Sequence, residues 1–119
     1  MESHKVLIID DEKGFCSLLE EFLSEEGYSV DFAYDGEEGI KKTKTFAPDI
    51  ILLDYRMPNM DGIQVIKKVR EFCSTPIICV SAVASKEVID ECIRFGANRY
   101  LFKPIDLDDM LAGIESALK

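Results

Sequence analysis

Apolar residues fall in two rhythms along the chain. Short runs, Val6–Ile9, Tyr28–Ala33, Ile50–Leu53, Ile77–Val80 and Tyr100–Phe102, alternate with longer stretches in which apolar positions recur every three or four residues. The pattern predicts five strands alternating with five helices. The first, third and fourth runs are apolar throughout, as for strands covered on both faces, whereas Tyr28-Ser29-Val30-Asp31-Phe32 alternates like a half-exposed edge strand.

The first helix carries Phe15, Leu18, Leu19, Phe22 and Leu23 as one apolar stripe ending before Gly27, which predicts that this face packs on the sheet. Asp35 with Glu38 forms a variant capping box opening the second helix, and Pro48 lies just beyond that helix. Asp61, Ser85 and Asp106 stand where N-caps would open the third, fourth and fifth helices. Gly96 follows the fourth as a C-cap glycine, and Leu107, Met110, Leu111, Ile114 and Leu118 repeat the apolar stripe in the fifth. Strict alternation with short connections implies a parallel sheet covered by helices on both faces, because each parallel crossover needs a covering element. Ligands of such sheets bind outside the carboxyl ends of the strands.

At 119 residues, with 47% hydrophobic and 31% charged residues, the chain has the size and balance of one globular domain over positions 1–119. The net charge of −9 would repel a phosphate backbone, so direct nucleic-acid binding is not expected. No apolar run approaches the roughly 20 residues of a membrane span. With no secretory leader at the start, a cytoplasmic location without membrane contact is expected. Cys16, Cys73, Cys79 and Cys92 form no CxxC pair and are expected to be reduced, mostly buried hydrophobes. With His4 the one histidine, a zinc site finds no ligand spacing.

The strand ends carry the chemistry. The first run ends in Asp10-Asp11, the third in Asp54, the fourth in Ser81, and the fifth leads into Lys103-Pro104. Three carboxylates gathered in a dry cleft would repel one another unless a hard cation such as Mg²⁺ neutralised them, so a magnesium site is implied. A lysine and a serine hydroxyl at the same rim could bind phosphoryl oxygens. Each residue has a plainer explanation when taken singly. Asp10-Asp11 can be a helix cap, Ser81 a turn residue, Lys103 a solvated loop charge and Tyr100 an edge-strand aromatic. Their concurrence at four strand ends of one sheet is what points to a phosphoryl-binding cradle. No glycine-rich phosphate loop is present, which suits a phosphoryl group from a small donor or a protein rather than a tightly held nucleotide.

The segments Val6-Leu7-Ile8-Ile9-Asp10-Asp11-Glu12, Leu53-Asp54-Tyr55-Arg56-Met57-Pro58-Asn59-Met60-Asp61-Gly62, Ser81-Ala82 and Tyr100-Leu101-Phe102-Lys103-Pro104 together resemble the bacterial response-regulator receiver domain, over the whole chain. The single-domain chemotaxis and sporulation phosphorelay regulators are similar. The resemblance implies a flavodoxin-like fold with strand order 2-1-3-4-5. It also implies a signalling switch that catalyses its own phosphorylation and dephosphorylation, rather than an enzyme acting on other substrates. Asp54 would be the phosphoacceptor. Mg²⁺ would be held by Asp11, Asp54 and the Arg56 backbone carbonyl, with Asp10 acting through metal-bound water. Lys103 would pair with the phosphoryl oxygen, and a cis Lys103–Pro104 peptide would aim its ammonium inward. Ser81, Ala82 and Tyr100 would form the switch, read on the face of helix four, strand five and helix five.

Arg56 and Val83 would tune dephosphorylation, and Ser81 stands where Thr is frequent. The implied partners are a sensor histidine kinase or histidine phosphotransfer protein upstream, and an effector protein or output domain downstream. A phosphorelay carrier is the alternative within the class, and a stand-alone regulator or a receiver excised from a longer protein are both open. A haloacid-dehalogenase-type phosphatase would want an aspartate where Arg56 stands, and a flavin module would want a phosphate loop.

Overall fold

In the computed structural model, which describes residues 3–119, the chain runs β1 (Lys5–Ile9), α1 (Lys13–Glu25), β2 (Ser29–Ala33), α2 (Gly36–Thr45), β3 (Ile50–Leu53), α3 (Gly62–Arg70), β4 (Ile77–Ser81), α4 (Lys86–Phe95), β5 (Arg99–Phe102) and α5 (Leu107–Ala117). Every expected element is present. Tyr28, expected inside the second strand, instead precedes it, because its N–H is taken by the Leu23 carbonyl at 3.0 Å as α1 ends.

The strands pair in parallel throughout, in the order β2-β1-β3-β4-β5, the flavodoxin-like arrangement expected. The central strands explain the order. No residue of Val6–Ile9, Ile50–Leu53 or Ile77–Val80 is more than 2% exposed, so β1, β3 and β4 can only be interior. β2 keeps Ser29 exposed and Val30, Asp31 and Phe32 half-buried, as an edge strand should. β5, the other edge, exposes Arg99 and Phe102.

Alternation along each strand divides the core in two. Leu7, Ile9, Ile51, Leu53, Ile77 and Cys79 face α3 and α4, where they meet Val65, Ile66, Val69 and Cys92. Val6, Ile8, Ile50, Leu52, Ile78 and Val80 face α1 and α5, where they meet Cys16, Leu19, Leu23, Met110 and Ile114. The α1 stripe is therefore narrower than expected. Cys16, Leu19 and Leu23 form its fully buried row, while Leu18, about 100° round the helix from Leu19, is left 50% exposed. All four cysteines are free, with Cys16, Cys79 and Cys92 buried and Cys73 half-buried.

Caps hold the helices at the carboxyl end of the sheet. Asp61 accepts the Gln64 N–H at 3.0 Å while Gln64 accepts the Asp61 N–H at 2.9 Å, a complete capping box. Asp35 accepts from Glu38 N–H at 2.8 Å, but the Glu38 carboxylate reaches back to the Tyr34 N–H instead of Asp35. Asp106 accepts from both Asp108 and Asp109. Ser85 occupies the N-cap of α4 without a side-chain bond. Glycine is required at Gly96 and Gly62 among other positions. Gly96 ends α4 at φ +132, a region side chains rarely enter, and a Cβ on Gly62 would lie 2.8 Å from the Tyr55 Cα. That close approach folds the loop after β3 back against its own strand end. No helix among the described residues is long and apolar enough to cross a membrane.

Leu53→Ala, which empties a fully buried central position, is expected to cost about 2–5 kcal/mol, and Asp61→Ala about 1 kcal/mol through the lost cap. Urea unfolding should show both as a lower midpoint with an unchanged slope.

Candidate functional site

Three backbone bonds carry the sheet ladder one residue past the strands. Asp10 N–H donates to the Ala33 carbonyl at 3.0 Å, Asp54 N–H to the Ile9 carbonyl at 2.9 Å, and Lys103 N–H to the Ser81 carbonyl at 3.0 Å. The parallel register therefore delivers these side chains, distant in sequence, to one rim with their backbones already fixed. Asp10 and Asp54 are only 2% and 6% exposed, and Ser81 is fully buried. The Lys103–Pro104 peptide is cis.

The Lys103 ammonium is the hub. It lies 2.8 Å from Asp10 Oδ2, 2.6 Å from Glu12 Oε1 and 3.3 Å from Asp54 Oδ2, with the Phe15 ring centre 4.3 Å away. The other oxygens of the two aspartates are also bonded, Asp10 Oδ1 by the Glu12 N–H at 2.9 Å and Asp54 Oδ1 by the Arg56 N–H at 3.2 Å. Burial pushes the Asp10 carboxyl above its ordinary pKa against the opposing bond from Lys103, and the nearby Asp54 charge pushes the same way. Burial alone would lower Lys103, but its bonds to Asp10 and Glu12 and the charges of Asp10 and Asp54 outweigh that and hold it above its ordinary value. Beneath the rim the Cys16 thiol donates to the Asp10 carbonyl at 3.4 Å. Burial, then the Asp10 charge, pushes that thiol up to about 11, so it stays protonated at neutral pH.

These groups open into a cavity of about 320 Å³ lined by Asp11, Glu12, Asp54, Arg56, Ser81, Ala82, Val83 and Lys103. The rim residues expected from the strand ends thus converge. Asp11 is exposed at the cavity's edge. Asp10 lies below it, while carboxylate oxygens of Asp10, Glu12 and Asp54 come within 4.8 Å of one another. Such a set of hard oxygen donors suits Mg²⁺. Arg56 and Ala82 are exposed and Val83 half-buried.

Residue 83 also ties two expected switch residues together. Its N–H donates to Ser81 Oγ at 3.2 Å, and its carbonyl accepts the Tyr100 hydroxyl at 2.6 Å. Tyr100 is half-buried against the core on the α4 side, and burial raises its hydroxyl pKa.

Glu12 and Phe15 had no assigned place in the site. Glu12 follows the aspartate pair directly, and that adjacency was the available signal. Phe15 has the spacing of a core residue and does pack into the core, so nothing in the pattern marks its second contact with Lys103.

The family model of the response regulator receiver domain matches residues 6–115. Response regulator ArlR of Staphylococcus aureus is 35% identical over 115 residues, 97% of this chain and 52% of that protein. The chain thus spans about half the length of the curated relatives it matches. Among solved structures, a two-component response regulator from Clostridium difficile is similar at a TM-score of 0.95 and 34% identity, covering 98% of this chain and 96% of that one. A CheY-like receiver domain protein from Methanospirillum hungatei JF-1 is similar at a TM-score of 0.95 and 28% identity, covering 98% of this chain and 94% of that one.

Lys103→Gln leaves two buried carboxylates without their cation and is expected to cost about 3–5 kcal/mol at neutral pH. The raised Asp10 carboxyl favours the folded form as pH falls, so the deficit should narrow in mildly acidic buffer. In the wild type, a raised lysine pKa keeps its contribution intact below the ordinary lysine value and loses it only as pH climbs through the folded value. Urea unfolding across pH checks both signs.

Proposed function

The chain belongs to the response regulator receiver family, and from that premise we propose that it is a phospho-accepting switch of a two-component system with Asp54 as the acceptor. The observation that carries the reading is the Asp54 carboxylate, buried at the end of a central strand, facing Lys103 at 3.3 Å and opening into the acid-lined cavity. A carboxylate oxygen of Asp54 attacks phosphorus, forming the acyl phosphate O–P bond. The P–N bond to a donor phosphohistidine, or the P–O bond to the acetate of acetyl phosphate, breaks with its electron pair going to the leaving group. Asp11, Asp54 and the Arg56 carbonyl would hold Mg²⁺, with Asp10 and Glu12 close by. Mg²⁺ bound there would offset the charge gathered on the phosphoryl oxygens. Lys103 keeps its positive charge across the neutral range and aligns the phosphoryl group by one oxygen.

The product adds a charge of about −1.5 to −2 and three acceptor oxygens to the cavity. The Ser81 hydroxyl, now accepting from Val83, and the Ala82 N–H are the donors best placed to answer it. Because Val83 also holds Tyr100, a shift of Ser81 is felt at β5, and the reading face is α4, β5 and α5. A sensor histidine kinase or a histidine phosphotransfer protein is the proposed donor, and an effector protein or output domain the proposed reader. Transfer of the phosphoryl group from Asp54 back to a histidine would mark a phosphorelay carrier instead. Arg56 and Val83 line the same cavity as Asp54 and would slow hydrolysis by hindering an attacking water.

Intact mass after incubation with acetyl phosphate is expected to show one phosphoryl adduct, requiring both Mg²⁺ and Asp54 and absent in Asp54→Asn. Arg56→Asn is expected to release phosphate several-fold faster. An unchanged rate would remove Arg56 from the account.

A further inference from the structure

Lys103 has three N–H donors, and all three are spent in the resting site, on Asp10, Glu12 and Asp54. A phosphoryl oxygen arriving at this ammonium must therefore displace one of them. Asp10 is a poor candidate, since its side chain is 2% exposed and its other oxygen is already held by the Glu12 N–H, so losing the ammonium would strand a buried charge. Asp54 becomes the phosphoryl carrier and keeps its neighbour through the new group. Glu12 differs from both. Its side chain is 61% exposed, so water can replace the ammonium at little cost, yet at 2.6 Å it is the nearest of the three acceptors.

Resting on the proposed phosphoryl transfer, we propose that Glu12 is a positioning residue that parks the Lys103 ammonium in the resting site and surrenders it to the incoming phosphoryl oxygen. Glu12 touches no reacting atom in this role and acts only through Lys103. Its Oε1 competes with the phosphoryl oxygen for one N–H donor, so it sets how much of the ammonium is available before a donor binds. Phe15, 4.3 Å from Nζ, closes part of the surroundings with a ring rather than another acceptor. The exchange is thus confined to carboxylate, water and phosphoryl oxygens.

The competing role for Glu12 is direct metal ligation, since one of its oxygens falls within the same 4.8 Å cluster as Asp10 and Asp54. The two roles predict opposite results. In Glu12→Gln, parking predicts that beryllofluoride, a phosphoryl mimic, binds about two- to fivefold more tightly at saturating Mg²⁺, the range an exposed ion pair can supply. Phosphorylation by acetyl phosphate should reach half-saturation at correspondingly lower donor concentration, with the maximal rate little changed. Both differences should shrink as salt is raised, which a merely structural effect of the substitution would not do. Mg²⁺ affinity, measured by calorimetry without any phosphoryl donor, should change less than about twofold, where loss of a ligand costs tenfold or more.

Tighter mimic binding that fades with salt supports the parking role. Weaker binding with a collapse of Mg²⁺ affinity, or no change in mimic affinity at any salt, overturns it. Glu12→Asp, whose shorter side chain keeps the charge but not the 2.6 Å reach, should resemble Glu12→Gln in mimic affinity, with Mg²⁺ affinity again little changed. If the wild type itself takes no phosphoryl group at Asp54, it is the proposed function that fails. If the wild type is phosphorylated and Glu12→Gln matches it, only the parking role fails.

Discussion

One ammonium holds the carboxyl rim of this sheet together. Asp10 and Asp54 lie on adjacent parallel strand ends, both nearly buried, and two such charges cannot share a dry corner without a counter-cation. Lys103 supplies it from across the sheet, and every buried polar side-chain atom among the described residues has a partner. The same contacts would serve the proposed reaction, since a cation that neutralises resting carboxylates is also positioned for a phosphoryl group carried by one of them. Stability and proposed function therefore draw on a single interaction.

The parallel topology explains why so much acid gathers there. Each strand ends at the same edge, and each following helix begins there, so strand-end aspartates and N-cap aspartates accumulate together: Asp10, Asp11 and Asp54 from the former, Asp35, Asp61 and Asp106 from the latter. Helix N-termini favour negative charge, which lowers the cost of that crowding. Lys13, Arg56, Lys86 and Lys103 share that end, but basic residues also gather at the opposite one. Lys42 and Lys44 close α2, Lys67, Lys68 and Arg70 close α3, and Arg94 lies in the last turn of α4. The chain is thus electrically polarised along its strands, and the end rich in acid is the one suited to a divalent cation.

Much of this is legible in the sequence. Continuous apolar runs identified β1, β3 and β4 as central, since only two-sided burial sustains them, and the alternation of Ser29–Phe32 marked an edge. Asp54, Ser81 and Lys103 could be grouped because topology alone sends strand ends to one rim. Other features depended on side-chain direction, which spacing does not encode. Leu18 belongs to a periodic stripe yet points partly to solvent, because the sheet meets only a narrow sector of α1. Glu12 is one acidic residue among many at a helix start, and only its reach to Lys103 separates it from a solvated charge. Val83 links Ser81 to Tyr100 through its backbone, which no side-chain pattern could reveal.

The size of the switch can be bounded from these contacts. Moving a two-state equilibrium from 1:99 to 99:1 needs about 5.5 kcal/mol of differential binding. A neutral hydroxyl bond contributes about 0.5–1.5 kcal/mol and a charge-assisted one about 1.5–3 kcal/mol. Redirecting Ser81 from the Val83 N–H to a phosphoryl oxygen trades a neutral bond for a charge-assisted one and gains only the difference between them. The Ala82 N–H adds another charge-assisted bond, while Lys103 merely exchanges one anionic partner for another. At mid-range values the sum is about 3–4 kcal/mol, short of a complete conversion. Under the proposed function, phosphorylation at Asp54 would therefore bias α4, β5 and α5 without fixing them, and a reader that bound the shifted face more tightly than the resting one would supply the remaining free energy. On the proposed function, a receiver built on these contacts would be half of a switch, and the surface that reads it energetically the other half.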